Sequence, residues 1–402
     1  MPTEPNDPVT DIFNRALLGK TIFKNKNILR FDYIPPNLPF REKQITDIAG
    51  ILSPVLHDSK CSNLLLYGKT GTGKTATAKH VLHKFQITAK THNKKTAIAY
   101  SNARLAGSEY RILVDLAQSL DLKIPFTGLP LSEVLNRILN KISEENLMVI
   151  FIIDEIDYLT KHSSDDILYS LTRSSEHLSN GFLSLIGISN DLQFKEFLDP
   201  RVLSSLSEEE IVFPPYTVEQ LREILTERAK NAFMENTITN GSINLCAALA
   251  GTEHGDARRA VDLLRVTGEI AERDGAKQVE EKHVRLAIKK VDQDRMTEAI
   301  RLLPLHEKLT LLSISLLKEI NSTGEVYSKY LNLCKNVSVE PLTQRRISGL
   351  LNELDLLGLI SANIINKGRY GRTKKISSLV PHETITNIIS EDSSLSGLTK
   401  TP

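Results

Sequence analysis

The apolar positions of this chain follow two rhythms, and one gives way to the other at about residue 217. Before that point, short apolar runs alternate with stretches of helical period. Leu64-Leu65-Leu66-Tyr67, Thr96-Ala97-Ile98-Ala99-Tyr100, Met148 to Ile153, Leu183 to Ile188 and Ile211-Val212-Phe213 read as five strands. The run from Met148 to Ile153 is unbroken, as in a strand buried on both faces. The pattern therefore predicts an α/β unit: a parallel sheet with helices on both faces. Helices are expected over 41–56, just after residue 75, over 108–120 and over 131–145. A simple crossover needs one helix, so the pair at 108–120 and 131–145 marks an insertion, about 101–130. Its linking loop, Asp121 to Pro130, is apolar and proline-bearing. Such an insertion is either a partner-specific contact or a structural elaboration.

From Thr217 the rhythm is helical only, over 218–233, 242–249, 256–272 and 280–303, which defines an α-helical unit at 217–303. A last folded part, 304–385, has helices at 306–320, 324–333 and 343–357, then two short strands around a basic turn. That is the layout of a winged helix. In its third helix Ile347, Leu350, Leu351 and Leu354 form one stripe. Arg345, Ser348, Gly349 and Asn352 lie opposite, with Gln344 and Arg346 on the flanks. The lysine-bearing arm 1–30 is expected to be flexible apart from a short helix near 11–18, and the Ser/Thr-rich tail 386–402 to be disordered.

Charge changes this picture in one respect. The 402 residues carry a net charge of only +1, so any nucleic-acid surface must come from local clustering. Lys367, Arg369, Tyr370, Arg372, Lys374 and Lys375 supply such a cluster in the hairpin, beside the polar face of the 343–357 helix. Cys61, Cys246 and Cys334 are far apart, which argues for buried thiols in a reducing compartment and against disulfides or zinc. The N-terminus lacks a signal pattern and no apolar run would span a bilayer, so a cytoplasmic protein without a membrane partner is expected.

The sharpest chemistry is Gly68-Lys69-Thr70-Gly71-Thr72-Gly73-Lys74-Thr75-Ala76, a P-loop between a strand and a helix. Its backbone N–H groups are expected to cradle phosphates, with Lys74 on the β- and γ-phosphates and Thr75 on magnesium. Asp154 and Glu155 end the central strand. Asp154 suits the magnesium-orienting acid and Glu155 the base that polarises water. Asn190, after the fourth strand, is either a γ-phosphate or water contact or a turn former. Gly255-Asp256-Ala257-Arg258 can present a guanidinium from the helical unit. Tyr33-Ile34-Pro35 is either one wall of a purine pocket or a packed linker.

Together these motifs resemble the AAA+ ATPases, and within them the archaeal Orc/Cdc-type replication initiators. The likeness runs from about Phe31 to Pro381. Beyond the P-loop it rests on Tyr33 to Glu42, Ile124-Pro125-Phe126-Thr127-Gly128-Leu129, Gly255 to Arg258 and Gly358-Leu359-Ile360. The resemblance implies an AAA+ P-loop domain at 31–216, a lid at 217–303 and a C-terminal winged-helix domain. It makes Asn190 sensor 1, Arg258 sensor 2 and Arg201 an arginine finger toward a neighbouring subunit, and it adds Arg41 and Tyr216 to the nucleotide set. It places Lys123, Phe126, Thr127 and Gly128 of the insertion on DNA, with Phe126 as a minor-groove probe. Phe40 departs from the histidine that relatives often carry there. The implied function is ATP- and magnesium-dependent recognition of origin duplex DNA, with slow ATP hydrolysis to ADP as a switch. Paralogous initiators and the replicative helicase are the implied partners, at the nucleoid. A winged-helix transcription regulator controlled by a P-loop ATPase is the main alternative, and a clamp-loader-like subunit a third.

Overall fold

The computed structural model describes residues 22–395 except 32, 126, 163–164, 192, 253–254, 318–320, 367–371 and 393–394. It divides into a unit up to Val284 and a second from Arg285. The first holds a five-stranded sheet of β1 (Leu64–Tyr67), β2 (Thr96–Asn102), β3 (Met148–Asp154), β4 (Phe182–Ser189) and β5 (Glu209–Val212). All pairs are parallel, in the order β2-β3-β4-β1-β5. Before β1 comes α1 (Glu42–Leu52), and α2 (Lys74–Thr91) links β1 to β2. The insertion follows as α3 (Ala103–Ala106), α4 (Glu109–Ser119) and α5 (Leu131–Glu145). After β3 come α6 (Asp157–His162) and α7 (Asp166–Thr172), and α8 (Pro200–Leu206) precedes β5.

Side chains alternate across the sheet and fill two cores. Val149, Phe151 and Ile153 pack with α4 and α5 residues such as Leu113, Leu116 and Ile138, while Ile150 and Ile152 pack with Ile48, Ala78 and Leu82 of α1 and α2. Every residue of β3 and β4 is buried, as strands covered on both faces must be. The helix expected over 41–56 is α-helical only to Leu52 and continues as a 3-10 turn over Ser53–His57. Pro54 has no N–H to give to Gly50, which ends the α ladder there.

The helical part comprises α9 (Val218–Ala232), α10 (Asn240–Thr252), α11 (Ala257–Arg273) and the start of α12 (Glu281–Leu302). The flexible arm expected over 1–30 needs correction. Residues 1–21, including the predicted short helix, lie outside the described residues, but Ile22, Phe23, Ile28 and Leu29 are buried. Phe23 meets Phe233 at 4.8 Å between ring centroids, Lys24 N–H donates to Ala232 O (2.8 Å), and Lys26 pairs with Glu269 of α11 (2.8 Å).

The second unit contains α13 (Leu305–Leu316), α14 (Thr323–Asn336), α15 (Gln344–Leu356), an antiparallel hairpin of β6 (Ile360–Asn366) and β7 (Arg372–Ser378), and α16 (His382–Ser390). The expected stripe Ile347, Leu350, Leu351 and Leu354 is buried in its core. The disordered tail expected from 386 is also corrected. Helix α16 runs through that point, burying Ile385, Ile388 and Ile389, and Leu395 is buried beyond it. Arg301 and Lys308 pair with Glu391 and Asp392 (3.0 and 2.9 Å).

Candidate nucleotide site and nucleic-acid face

The P-loop leaves β1 at Gly68 and closes on the first turn of α2, where Lys74 is buried. Lys74 Nζ donates to Gly68 O (2.7 Å) and Lys69 O (2.8 Å), and Thr72 Oγ1 donates to Lys69 O (2.9 Å). Burial lowers the Lys74 pKa to about 8, opposed by Asp154 and helped by Arg258. Lys69 and Thr70 at the loop's crest are exposed, while Thr75 and Ala76 are half-buried at the helix start.

In the strand order β3 is separated from β1 by β4, yet α2 must cross over both to reach β2. That crossing brings Thr75 Oγ1 within 3.0 Å of Asp154 Oδ2 at the end of β3. A hydroxyl and a carboxylate from two elements, all oxygen, suit a hard divalent cation. Among the described residues no three His, Cys, Asp or Glu side chains gather as a metal cage, so phosphate oxygens and water would have to complete the shell. Glu155 follows with φ of 52°, a left-handed backbone that costs on the order of 1 kcal/mol. The turn swings its carboxylate off the strand, where Asn102 Nδ2 donates to Glu155 Oε1 (3.3 Å). Asn190 is exposed after β4, and its backbone N–H is held by Asp157 Oδ1 (3.3 Å), which also accepts from Ser189 Oγ (3.0 Å).

The helical part docks onto the loop through Gly255 to Arg258. Ala257 N–H donates to Gly71 O (3.1 Å), and Asp256, capping α11 through Arg259 N–H (3.1 Å), covers Gly71 so closely that a Cβ there would lie 1.7 Å from Asp256 Oδ1. Gly255 packs on Tyr216, where a Cβ would meet the Tyr216 carbonyl oxygen at 2.3 Å. Arg258 is exposed at the head of α11.

Two residues of the expected nucleotide set, Arg41 and Tyr216, also bear on the P-loop itself. Arg41 is 2% exposed; Nε donates to Thr72 O (2.8 Å), Nη1 to Phe40 O (2.8 Å) and Nη2 to Pro214 O (2.7 Å). Its guanidinium stacks on the Tyr216 ring at 3.8 Å. Arg41 and Tyr216 brace the P-loop, with three of the guanidinium's five N–H donors held by backbone carbonyls. Tyr33 and Pro35 are half-buried and Ile34 is exposed. Arg228 of α9 lies over the Tyr33 ring (4.8 Å) and donates to Ile28 O (2.8 Å), so this segment is fastened to the helical part. Arg201, at the start of α8, is exposed and forks onto Asp199 through Nε (3.1 Å) and Nη2 (3.0 Å), which raises its pKa further.

Sequence reasoning missed Tyr100, Asn102 and Asp157. Tyr100 Oη donates to Asp154 Oδ2 (2.9 Å). The available signal was polar residues ending a strand beside the Asp154 strand, but the neighbour itself is set by strand order.

On the second unit Gln344, Arg345, Arg346 and Asn352 are exposed along α15, and Ser348 is half-buried, donating to Gln344 O (3.1 Å). Lys374 reaches from β7 to Asn352 Oδ1, tying hairpin to helix. Arg346 lies 4.0 Å from Glu353. Lys367, Arg369 and Tyr370 lie outside the described residues, as does the Arg372 side chain. In the insertion Lys123, Thr127 and Gly128 are exposed and Tyr110 Oη holds Pro125 O (2.7 Å), whereas Phe126 lies outside the described residues.

Three family models match in succession: an AAA domain over residues 57–194, the Cdc6 AAA+ ATPase-type lid domain over 222–289, and the CDC6 C-terminal winged helix domain over 298–388. The ORC1-type DNA replication protein of Thermococcus onnurineus is 50% identical over 392 residues, covering 96% of this chain and 94% of that protein. The chain belongs to the ORC1-type DNA replication proteins. ORC1-type DNA replication protein 1 of Archaeoglobus fulgidus is 46% identical, covering 97% of this chain and 96% of its own. The structure of the Aeropyrum pernix ORC1 protein in complex with DNA superposes with a TM-score of 0.84 at 43% identity, over 94% of this chain and 99% of that one. The sheet, the helical part and the second unit are thus an AAA+ domain, its lid and a winged helix, and the P-loop is a nucleotide-binding site of that family. Among the described residues no helix is long and apolar enough to cross a membrane.

Proposed function

We propose that this protein is a replication initiator that binds origin duplex DNA, recruits or loads the replicative helicase, and uses ATP and ADP as its two states. The observation that carries the switch is the docking of Asp256 and Ala257 on Gly71: the P-loop is roofed by the lid, so a phosphate entering the loop bears on lid position. The P-loop N–H groups and Lys74 bind the phosphates, and Glu155 accepts the proton of the attacking water. Bound at Thr75 and Asp154, magnesium would neutralise charge on the phosphates. Asn190 and Arg258 read the γ-phosphate, and Arg201 serves a neighbouring subunit's nucleotide once released from Asp199.

DNA is taken by Gln344, Arg345, Arg346, Ser348, Asn352 and Lys374, with the hairpin turn and the exposed loop at Lys123, Thr127 and Gly128 adding contacts. The DNA-bound Aeropyrum relative and the basic, exposed face of α15 support this reading. Membership of the ORC1-type family favours an initiator over a promoter-binding regulator. Mapping genome-wide occupancy against replication profiles tests it. Peaks are expected at replication origins; peaks confined to scattered promoters would overturn the initiator reading.

A further inference from the structure

The end of β2 carries a group that none of the site's motifs includes. Tyr100 lies opposite Ile152 in the β2–β3 register, on the face that packs against α2, and so shares a side with Asp154, two residues farther along β3. Its hydroxyl meets Asp154 Oδ2 at 2.9 Å, the same oxygen that accepts from Thr75 Oγ1 at 3.0 Å. The other oxygen, Oδ1, accepts from Glu155 N–H at 3.0 Å. Lys79, one turn along α2 from Thr75, sets its ammonium 4.1 Å from the centre of the Tyr100 ring.

We infer that Tyr100 is a positioning residue for the cation-facing carboxylate, holding Asp154 in the plane and rotation at which it meets magnesium. This rests on the reading of Asp154 and Thr75 as the magnesium side of the site. Glu155 N–H holds Oδ1 and Thr75 holds Oδ2 from α2, and both donors lie close to the site along the chain or across the P-loop helix. Tyr100 adds a second donor to Oδ2 from the neighbouring strand, which narrows the carboxylate's remaining rotation before any cation arrives. Groups that orient metal ligands in this way usually matter about 10- to 100-fold for metal affinity.

The test is Tyr100→Phe in the full chain, saturated with ADP, with Mg2+ titrated and thermal stabilisation read. Half-saturation by Mg2+ should move up by about tenfold, while ADP affinity in EDTA and the melting temperature of the unliganded protein stay at wild-type values. Unchanged half-saturation overturns the assignment. Asp154→Asn is run alongside: if it leaves the Mg2+ response of the wild type intact, the magnesium reading of Asp154 has failed and Tyr100 falls with it, whereas a lost response in Asp154→Asn and a normal one in Tyr100→Phe rejects Tyr100 alone. Should Tyr100→Phe fold poorly, 3-fluorotyrosine at position 100 keeps the hydroxyl. Its fluorine resonance should shift when Mg2+ joins the ADP complex, and a stationary line rejects the proposal.

Discussion

The P-loop brace and the exposed face of α15 both depend on arginine, and they hold it in opposite ways. Arg41 is buried, stacked on Tyr216 and bonded to three backbone carbonyls that belong to the preceding residue, the P-loop and the strand exit. Arg345 and Arg346 stand in solvent, and the nearest acid to Arg346 is Glu353 at 4.0 Å. Burial turns a cation into architecture, because removing it strands acceptors that have no water to replace it. Exposure leaves a cation as field, screened by salt and free to find a phosphate. The first kind fixes where a nucleotide sits, and the second governs how strongly a polyanion is attracted.

The largest effect belongs to the nucleotide end. Glu155→Gln should lower single-turnover ATP hydrolysis by about 10²- to 10⁴-fold, the usual contribution of a positioned base, with nucleotide affinity nearly unchanged. Loss of binding instead would mean that Glu155 holds the site together, and that this end contains no side chain given over to chemistry alone.

Next comes Arg41→Ala, which should cost about 3 kcal/mol of folding stability in a denaturant titration and weaken nucleotide binding with it. Arg41→Lys should recover little, since an ammonium cannot form the planar fork that reaches Thr72, Phe40 and Pro214 together. By contrast Arg345→Ala, exposed on α15, should stay within about 0.5 kcal/mol of wild type. Equal losses at the two positions would erase the distinction between them.

How much of this was visible in the sequence follows the same division. The P-loop was legible because its glycines answer to the backbone, and Gly71 has no room for a side chain under Asp256. Strands β1 and β3 were legible because burial on both faces leaves an unbroken apolar run. The stripe on α15 was legible because its period is local. What escaped are pairs joined only by the fold. Arg41 meets Pro214 across 173 residues and Tyr100 meets Asp154 across 54, and each depends on strand order that no local pattern states. Phe23 stands in a lysine-bearing stretch and reads as arm because its partner, Phe233, lies far along the chain. Helix α16 was hidden by the serines and threonines around Ile385, Ile388 and Ile389, which composition weighed more heavily than their helical spacing.

The smallest expected effects lie on α15, where direction is more informative than size. Arg345→Ala with Arg346→Ala should weaken binding to every duplex and flatten the plot of log affinity against log salt by about 1.8, at roughly 0.9 for each phosphate no longer neutralised. Glu353→Gln should act the other way. It removes the acid beside Arg346, so duplex affinity should rise by about 1.4- to fivefold, the 0.2–1 kcal/mol range of an exposed pair, and the gain should fade as salt is raised. In a buried network the same change would lower affinity by loosening the arginine's fixed position. A fall in affinity with Glu353→Gln would therefore place Arg346 with Arg41, as a residue held in position by its neighbours.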